Sequence, residues 1–132
     1  MDSFDWTNMC NRSKIVSKHD LQRGETMMRA SIPLTIVAIC NAAPGQEDEL
    51  RTAQQRLVAE TVKEPGCVRY ELHQSIQDPR LLIFVESWAS EEQWQNHMQG
   101  AAIKHFHSSG AANLLVDFSM FRMNLVSDGG RC

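Results

Sequence analysis

Two short segments of the sequence are apolar on both faces. Residues 34–40 read Leu-Thr-Ile-Val-Ala-Ile-Cys, and residues 81–85 read Leu-Leu-Ile-Phe-Val. Successive side chains of a β-strand point to opposite sides, so a strand that is apolar at consecutive positions needs cover on both sides. The sequence therefore predicts two buried strands in a sheet that is covered on both faces.

The segment between these strands predicts an amphipathic helix over residues 47–63. Apolar side chains recur there every three or four positions, while Glu, Gln and Arg fill the outer face. The apolar face is expected to hold Leu50, Ala53, Leu57, Val58, Thr61 and Val62. Glu64-Pro65-Gly66 ends the helix, because proline cannot continue it and disfavours helical geometry in the residue before it.

Two further strands are predicted on either side of the Asp78-Pro79 turn signal. Alternation places three side chains on one face of the first strand, namely Val68, Tyr70 and Leu72. In the second strand, residues 81–88, one face carries Leu82, Phe84, Glu86 and Trp88.

The rest of the chain predicts a helical region and a last strand. Ser90 and Gln93 have the spacing of a capping box, and the helix that follows presents Trp94, His97 and Met98 on one face. Gly100 interrupts this region, a second helical stretch reaches residues 110–113, and residues 115–126 form a strand. The element order is βαββαβ, which indicates a ferredoxin-like α+β fold with an antiparallel sheet.

The helices of such a fold cover one face of the sheet only. The strands at residues 34–40 and 81–87 are apolar on the other face too, so that face needs cover from outside the chain. Two sheets packed face to face would supply it, which predicts a homodimer. The alternative is a mixed, solvated second face, as antiparallel sheets can have.

Composition restricts the remaining possibilities. The 132 residues fit one domain, predicted over residues 32–126, with residues 127–132 as a tail. Residues 1–31 keep no regular apolar period and are expected to be disordered or to form an arm. A net charge of −3 argues against nucleic acid, and no apolar run is long enough to cross a membrane or to act as a signal peptide. We therefore expect a cytoplasmic protein.

Glu86 and His97 are the strongest candidates for chemistry. Glu86 lies mid-strand on an inward face, where an ionised carboxylate is costly unless it is paired. His97, on the next helix, is its expected partner, and a carboxylate that fixes an imidazole tautomer makes a general base. A purely structural bond between helix and sheet is the alternative. Trp88 and Tyr70 are expected near this polar end of an aromatic pocket, together with Trp94, Phe106, Met98 and Met120.

The sequence gives little support for a metal site or a disulfide framework. His105 and His107 are two positions apart and so point to different sides of a helix. The four cysteines (Cys10, Cys40, Cys67 and Cys132) form no C-x-x-C pair and are expected to be reduced thiols.

Residues 33–125 resemble the antibiotic biosynthesis monooxygenase domain, which includes small quinol monooxygenase-like proteins. The resemblance rests on Pro44-Gly45, Glu64-Pro65-Gly66-Cys67, Tyr70-Glu71-Leu72, Asp78-Pro79, Glu86-Ser87-Trp88 and His97. It implies a dimeric α+β barrel that oxidises a quinol or polycyclic aromatic with dioxygen, using no metal or other cofactor. Glu86 and His97 would act as the base, and Trp88 and Tyr70 would position the substrate.

Two alternatives remain open within this resemblance. A heme-degrading branch of the superfamily uses a histidine near the position of His107, but its first-strand asparagine would fall near Ala38. The other alternative is a non-enzymatic dimer that binds a small aromatic molecule.

Overall fold

The fold follows the predicted element order. A computed structural model describes residues 33–129, so the predictions for residues 1–31 and for the end of the tail lie outside the described residues. The elements are β1 (Leu34–Ala42), α1 (Glu47–Thr61), β2 (Cys67–Gln74), β3 (Leu81–Trp88), α2 (Glu91–Met98), α3 (Ala101–Ser108), a 3₁₀ turn (Ala111–Leu114) and β4 (Leu115–Met123).

The four strands form one antiparallel sheet in the order β2-β3-β1-β4. β1 and β3 are therefore the central pair, as expected for the two segments that are apolar on both faces. In their register Ile36 pairs with Glu86, Ala38 with Phe84, and Cys40 with Leu82. The arrangement confirms the predicted ferredoxin-like α+β fold.

The helices cover one face of this sheet, and the core lies between the two layers. On β3 the predicted inward residues Leu82, Phe84, Glu86 and Trp88 are all buried. In α2 the Ser90 hydroxyl accepts a hydrogen bond from the Gln93 amide at 3.3 Å, which confirms the predicted cap. With the helix beginning at this cap, the side chains of Trp94, His97 and Met98 face the core and are buried. Gly100 then precedes α3, at the predicted interruption.

Three predictions about individual faces are wrong. Val68 is 66% exposed, because the register of β2 against β3 shifts between Cys67 and Arg69 and turns this side chain out of the alternation. Val62 lies just past the last turn of α1 and is half-exposed. Gln54, expected on the outer face of α1, is 1% exposed and faces the core.

The last strand is three residues shorter than predicted. β4 ends at Met123, which pairs with Thr35 near the start of β1. β1 begins at Leu34, only one residue before Thr35, so Leu125 and Val126 lie beyond its end and are largely exposed.

The turn after α1 positions Glu64 over the sheet, and this turn depends on Gly66. Gly66 has a φ of +83°, and a Cβ atom at this position would collide with the side chain of Gln93. Its carbonyl accepts a hydrogen bond from the Ala89 amide at 2.8 Å, which ties the turn to the end of β3. Glycine is therefore required both for the backbone conformation and for the close approach of α2. The turn holds Glu64 above the inner face of the sheet.

The second face of the sheet is apolar at its centre and carries no element of the described chain, whereas β2 contributes charged side chains at one edge. Val37, Ile39, Ile83 and Val85 lie on it and are partly exposed. Phe121 and Met123 extend it across β4 and are 48% and 46% exposed. We call this surface the open face. No helix within residues 33–129 is long and apolar enough to cross a membrane.

Candidate active site

A small cavity lies between the inner face of the sheet and the helices. Its volume is about 20 Å³, which is room for about one water-sized molecule. Its wall is mostly apolar, with four polar groups facing it. The lining residues are Ala38, Cys40, Gln54, Leu57, Tyr70, Phe84, Glu86, His97, Met98, Ile103, Phe106, Leu115, Phe118 and Met120.

Small side chains on β1 leave room for this cavity. Ala38 and Cys40 are consecutive inward residues of the central strand, and both are buried. Their neighbours across the sheet, Phe84 on β3 and Phe118 on β4, are bulky. The centre of the sheet is therefore lower than its sides on the inner face.

Glu86 is a buried carboxyl group at one end of the cavity. It is 3% exposed, and its Oε1 atom accepts a hydrogen bond from the Trp88 indole Nε1 at 2.9 Å. Burial raises the pKa of Glu86 from 4.5 to about 8, the indole opposes this shift, and the negative charge of Glu64 adds to it. The group is therefore a neutral carboxylic acid at pH 7, able to donate a hydrogen bond.

His97 is paired with Glu64, whereas the sequence predicted Glu86 as its partner. Its Nδ1 atom lies 2.8 Å from Oε1 of Glu64, and the imidazole is 1% exposed. The difference has a geometric cause. Glu86 and Trp88 are neighbours on one face of β3, so the indole of Trp88 donates its hydrogen bond to the carboxyl group of Glu86.

The turn before β2 meanwhile places Glu64 beside the imidazole of His97. A carboxylate at Nδ1 favours the tautomer in which Nδ1 carries the proton and Nε2 has the free lone pair. This arrangement orients Nε2 of His97 as a hydrogen-bond acceptor.

Two aromatic rings hold the imidazole of His97 in place. Trp88 stacks on it with ring centroids 4.8 Å apart and an interplanar angle of 29°. Tyr70 packs edge-on against it at 5.3 Å, and also contacts Trp88 and Phe84. Burial raises the pKa of Tyr70 well above its usual value of 10, so its hydroxyl stays protonated.

The predicted site residues therefore gather in one place, with different roles. Glu86, His97 and Tyr70 line the cavity. Trp88 does not line it, but donates a hydrogen bond to Glu86 and stacks on the ring of His97. Of the other residues expected in the pocket, Phe106, Met98 and Met120 line the cavity and Trp94 does not. His107, which a heme site would use, is also not among the lining residues.

Comparisons with known proteins identify the family. The sequence profile of the family described as antibiotic biosynthesis monooxygenase matches residues 33–109. The chain belongs to the antibiotic biosynthesis monooxygenase family. No functionally curated protein matches it.

Several solved structures have a similar fold. The protein PA3566 from Pseudomonas aeruginosa is 30% identical, with a TM-score of 0.68 over 74% of this chain and 98% of its own. The protein SO0527 from Shewanella oneidensis is 28% identical, with a TM-score of 0.65 over 70% of this chain and 90% of its own. A crystal structure of an antibiotic biosynthesis monooxygenase is 22% identical, with a TM-score of 0.66 over 71% of this chain and 99% of its own.

Two polar residues at the site of this family member were missed from the sequence. Glu64 stands in the Glu64-Pro65-Gly66 segment, which predicted the end of a helix and contributed to the family resemblance but gave Glu64 no role at the site. Gln54 lies on the apolar face of α1, four residues after Leu50 and three before Leu57, and that spacing was the available signal. Its Oε1 atom is buried and has no hydrogen-bond partner among the described residues. Such a group costs roughly 1–3 kcal/mol of stability.

The described cysteines and acidic residues add no further reactive group. Burial raises the pKa of the Cys40 thiol to about 12, and it also raises the pKa of Cys67. Both cysteines are free thiols in their protonated form. Within residues 33–129, no three His, Cys, Asp or Glu side chains are grouped closely enough to hold a metal ion.

The raised pKa of Glu86 predicts how stability depends on pH. The unfolded chain releases this proton near its ordinary pKa of 4.5, and the folded chain near 8. The folded state therefore binds more protons between these values, and this group makes the free energy of unfolding fall as pH rises from about 4.5 to about 8.

Replacing Glu86 with Gln should remove that contribution. The amide oxygen can still accept the Trp88 hydrogen bond, but it cannot ionise. Urea titrations at pH 5 and pH 9 give the decrease in the free energy of unfolding between these two pH values. We expect this decrease to be smaller in Glu86→Gln than in the wild type by a few kcal/mol. Glu71→Gln, at an exposed position on β2, is the control. Equal falls in the wild type and in Glu86→Gln would contradict the assignment.

Proposed function

We propose that the protein is a cofactor-independent monooxygenase that oxidises a quinol or polycyclic aromatic substrate with dioxygen. Family membership supports the general reaction class. The observation that carries the proposal is the pairing of an oriented base, His97 with Glu64, with a neutral acid, Glu86, at one apolar cavity. Sites that transfer protons typically hold two titratable groups whose surroundings keep one protonated, as the acid, and the other unprotonated, as the base.

The base begins the reaction by removing a proton from the substrate. Nε2 of His97 would take it from an aromatic hydroxyl group or from an adjacent acidic carbon. Glu64, 2.8 Å from Nδ1, stabilises the imidazolium that forms. The resulting anion is rich in electrons and can react with dioxygen directly, so the substrate itself is the reductant.

Glu86, the proposed acid, would act on the oxygen atoms of the substrate or of dioxygen that gain negative charge during the reaction. A protonated Glu86 would donate to the developing oxyanion or to the peroxide formed at the substrate carbon. Trp88 holds its Oε1 atom, so the carboxyl group needs little reorientation during the reaction. In the dry surroundings of the cavity such a hydrogen bond is stronger than it would be in water.

The oxygen and electron balance needs no further reactant. A C–O bond forms between the substrate anion and dioxygen, which gives a peroxide. Its O–O bond then breaks together with the C–H bond at the same carbon, and one oxygen atom stays on the ring as a carbonyl or hydroxyl group. The other oxygen atom leaves as water, with that proton and the proton that His97 removed from the substrate. The substrate supplies all the electrons and ends as a quinone.

Substrate binding requires the cavity to expand. At about 20 Å³ it accommodates dioxygen or water but not an aromatic ring. Met98 and Met120 lie in its wall, and unbranched thioether side chains rearrange more easily than the branched or aromatic residues around them. We infer that these two side chains move when the substrate enters.

The cavity favours this function over the heme alternative. A heme site of the predicted kind would use His107, and this residue is not among those lining the cavity. The base and the acid described above do line it. A non-enzymatic binding dimer would use the same apolar wall and is distinguished by the absence of turnover.

Removing the base should abolish most of the activity. We expect His97→Ala to lower kcat for 1,4-dihydroxynaphthalene, measured as oxygen consumption, by roughly 10²- to 10⁴-fold, because the reaction loses its general base. Glu64→Gln should lower kcat less and leave KM unchanged, because it keeps a hydrogen-bonding group but loses the charge. The control is His105→Ala, since His105 is exposed and also pairs with a glutamate, Glu60.

Two results would count against the proposal. Unchanged activity in His97→Ala would remove this residue from the reaction. The absence of turnover in the wild type with a range of quinols would leave a binding protein.

We propose in addition that two copies of the domain, residues 32–126, pair through the open face. The rows across this face are apolar at their centre, with Val85, Val37 and Phe121 in one row and Ile83 and Ile39 in the next. Water contact with such a continuous patch is unfavourable, and an identical patch on a second copy would cover it.

A charge on the open face should break the dimer. We expect sedimentation equilibrium to give a dimer mass for the wild type and a monomer mass for Phe121→Lys, because pairing would bury the ammonium group without a partner. Val62→Lys is the control, as Val62 is equally exposed (51% against 48%) but lies at the end of α1. A monomeric wild type would refute the proposed dimer.

A further inference from the structure

Gln54 is a polar side chain that the proposed proton transfers do not use. It projects from α1 toward the sheet, is 1% exposed, and lines the same cavity as Glu86 and His97. Its Oε1 atom is shielded from solvent and accepts no hydrogen bond from any residue of the described chain. A buried carbonyl without a donor destabilises the fold, so a ligand that supplies the donor would account for its position.

Gln54 approaches the sheet at a different row of β1 from the one that faces Glu86. Its amide lies beside the Cys40 thiol, where it lowers the raised pKa of that group. Along β1, Cys40 is four residues beyond Ile36, the residue that pairs with Glu86. Four residues of an antiparallel strand span roughly 13 Å. Gln54 and Glu86 therefore lie toward opposite ends of the cavity.

The wall between these two ends is apolar. The intervening row of the inner face consists of Ala38 flanked by Phe84 and Met120, and all three line the cavity. A ligand that lies along β1 would thus meet polar groups at its two ends and hydrocarbon between them. This pattern suits an aromatic ring system with an oxygen function at each end.

We propose that Gln54 is a specificity residue that accepts a hydrogen bond from the second hydroxyl group of an aromatic diol. The first hydroxyl group would lie at the His97 and Glu86 end, so the inference rests on the proposed function and narrows its substrate class. A hydroxyl group can donate to the carbonyl of Gln54, whereas the carbonyl of a quinone cannot. Gln54 therefore favours a substrate that carries this second hydroxyl group over one that lacks it.

Binding without turnover tests this directly. Isothermal titration calorimetry under anaerobic conditions would compare 1,4-dihydroxynaphthalene with 1-naphthol, which lacks the second hydroxyl group. The wild type should bind the diol more tightly. In Gln54→Met, which has similar size but no acceptor, we expect the ratio of the two dissociation constants to fall by roughly tenfold or more. Gln55→Met makes the same chemical change at an exposed neighbour on α1 and should leave the ratio unchanged.

A second measurement separates ligand recognition from a structural role. Without ligand, Gln54→Met removes an unpaired buried carbonyl, so its thermal unfolding midpoint should equal or exceed that of the wild type. A midpoint lowered well below that of Gln55→Met would show that Gln54 supports the fold, and would overturn the inference even if discrimination were lost.

The remaining outcomes are also decisive. An unchanged ratio in Gln54→Met, or no binding of either ligand to the wild type, would overturn the inference. The proposed function fails in a different way: discrimination that depends on Gln54, without oxygen consumption in air, would refute the monooxygenase and leave the assignment of Gln54 standing.

Discussion

The central strands β1 and β3 carry apolar side chains on both faces, and the rest of the structure is arranged around this constraint. On the inner face the helices cover them, and the small residues Ala38 and Cys40 leave the cavity. On the open face nothing in the described chain covers Val37 and Val85. One constraint thus leads both to the candidate site and to the proposed dimer.

Within the inner layer, two carboxyl groups at one site behave differently because their surroundings differ. Glu86 is enclosed by apolar side chains and receives a hydrogen bond from one indole, so burial dominates and the group holds its proton. Glu64 reaches the layer from a turn, keeps 22% of its side chain exposed, and contacts the imidazole of His97. Burial therefore keeps the proton on Glu86, the proposed acid, whereas Glu64 is placed to pair with His97, the proposed base.

The sequence predicted the fold well because the fold depends on periodicity and turn chemistry. The two-sided apolar strands and the Ser90 cap each act over a few residues and are found where expected, and α1 ends at Thr61, two residues before the end predicted from Glu64-Pro65-Gly66. Local patterns could not reveal the irregularities. The shift that turns Val68 outward depends on the pairing of β2 with β3, and the end of β4 depends on where β1 begins.

The sequence predicted which residues lie at the candidate site, but it did not predict which of them contact each other. Glu86, Trp88, His97 and Tyr70 do come together, since each lies on a regular element whose inward face can be inferred. The partner of His97 could not be inferred, because Glu64 stands in a turn whose path depends on Gly66 and on the packing of α2. Gln54 was assigned to solvent because glutamine is usually exposed, and only tertiary packing overrides that preference.

The proposed role of Glu86 as an acid requires that its carboxyl group be neutral at pH 7, and a titration of its side-chain carboxyl carbon measures this. NMR of protein labelled with ¹³C at the glutamate carboxyl groups, with Glu86 assigned by the signal lost in Glu86→Gln, would follow its protonation with pH. We expect a midpoint near 8, so that the group is protonated at pH 7. A midpoint near its ordinary value of 4.5 would contradict that role.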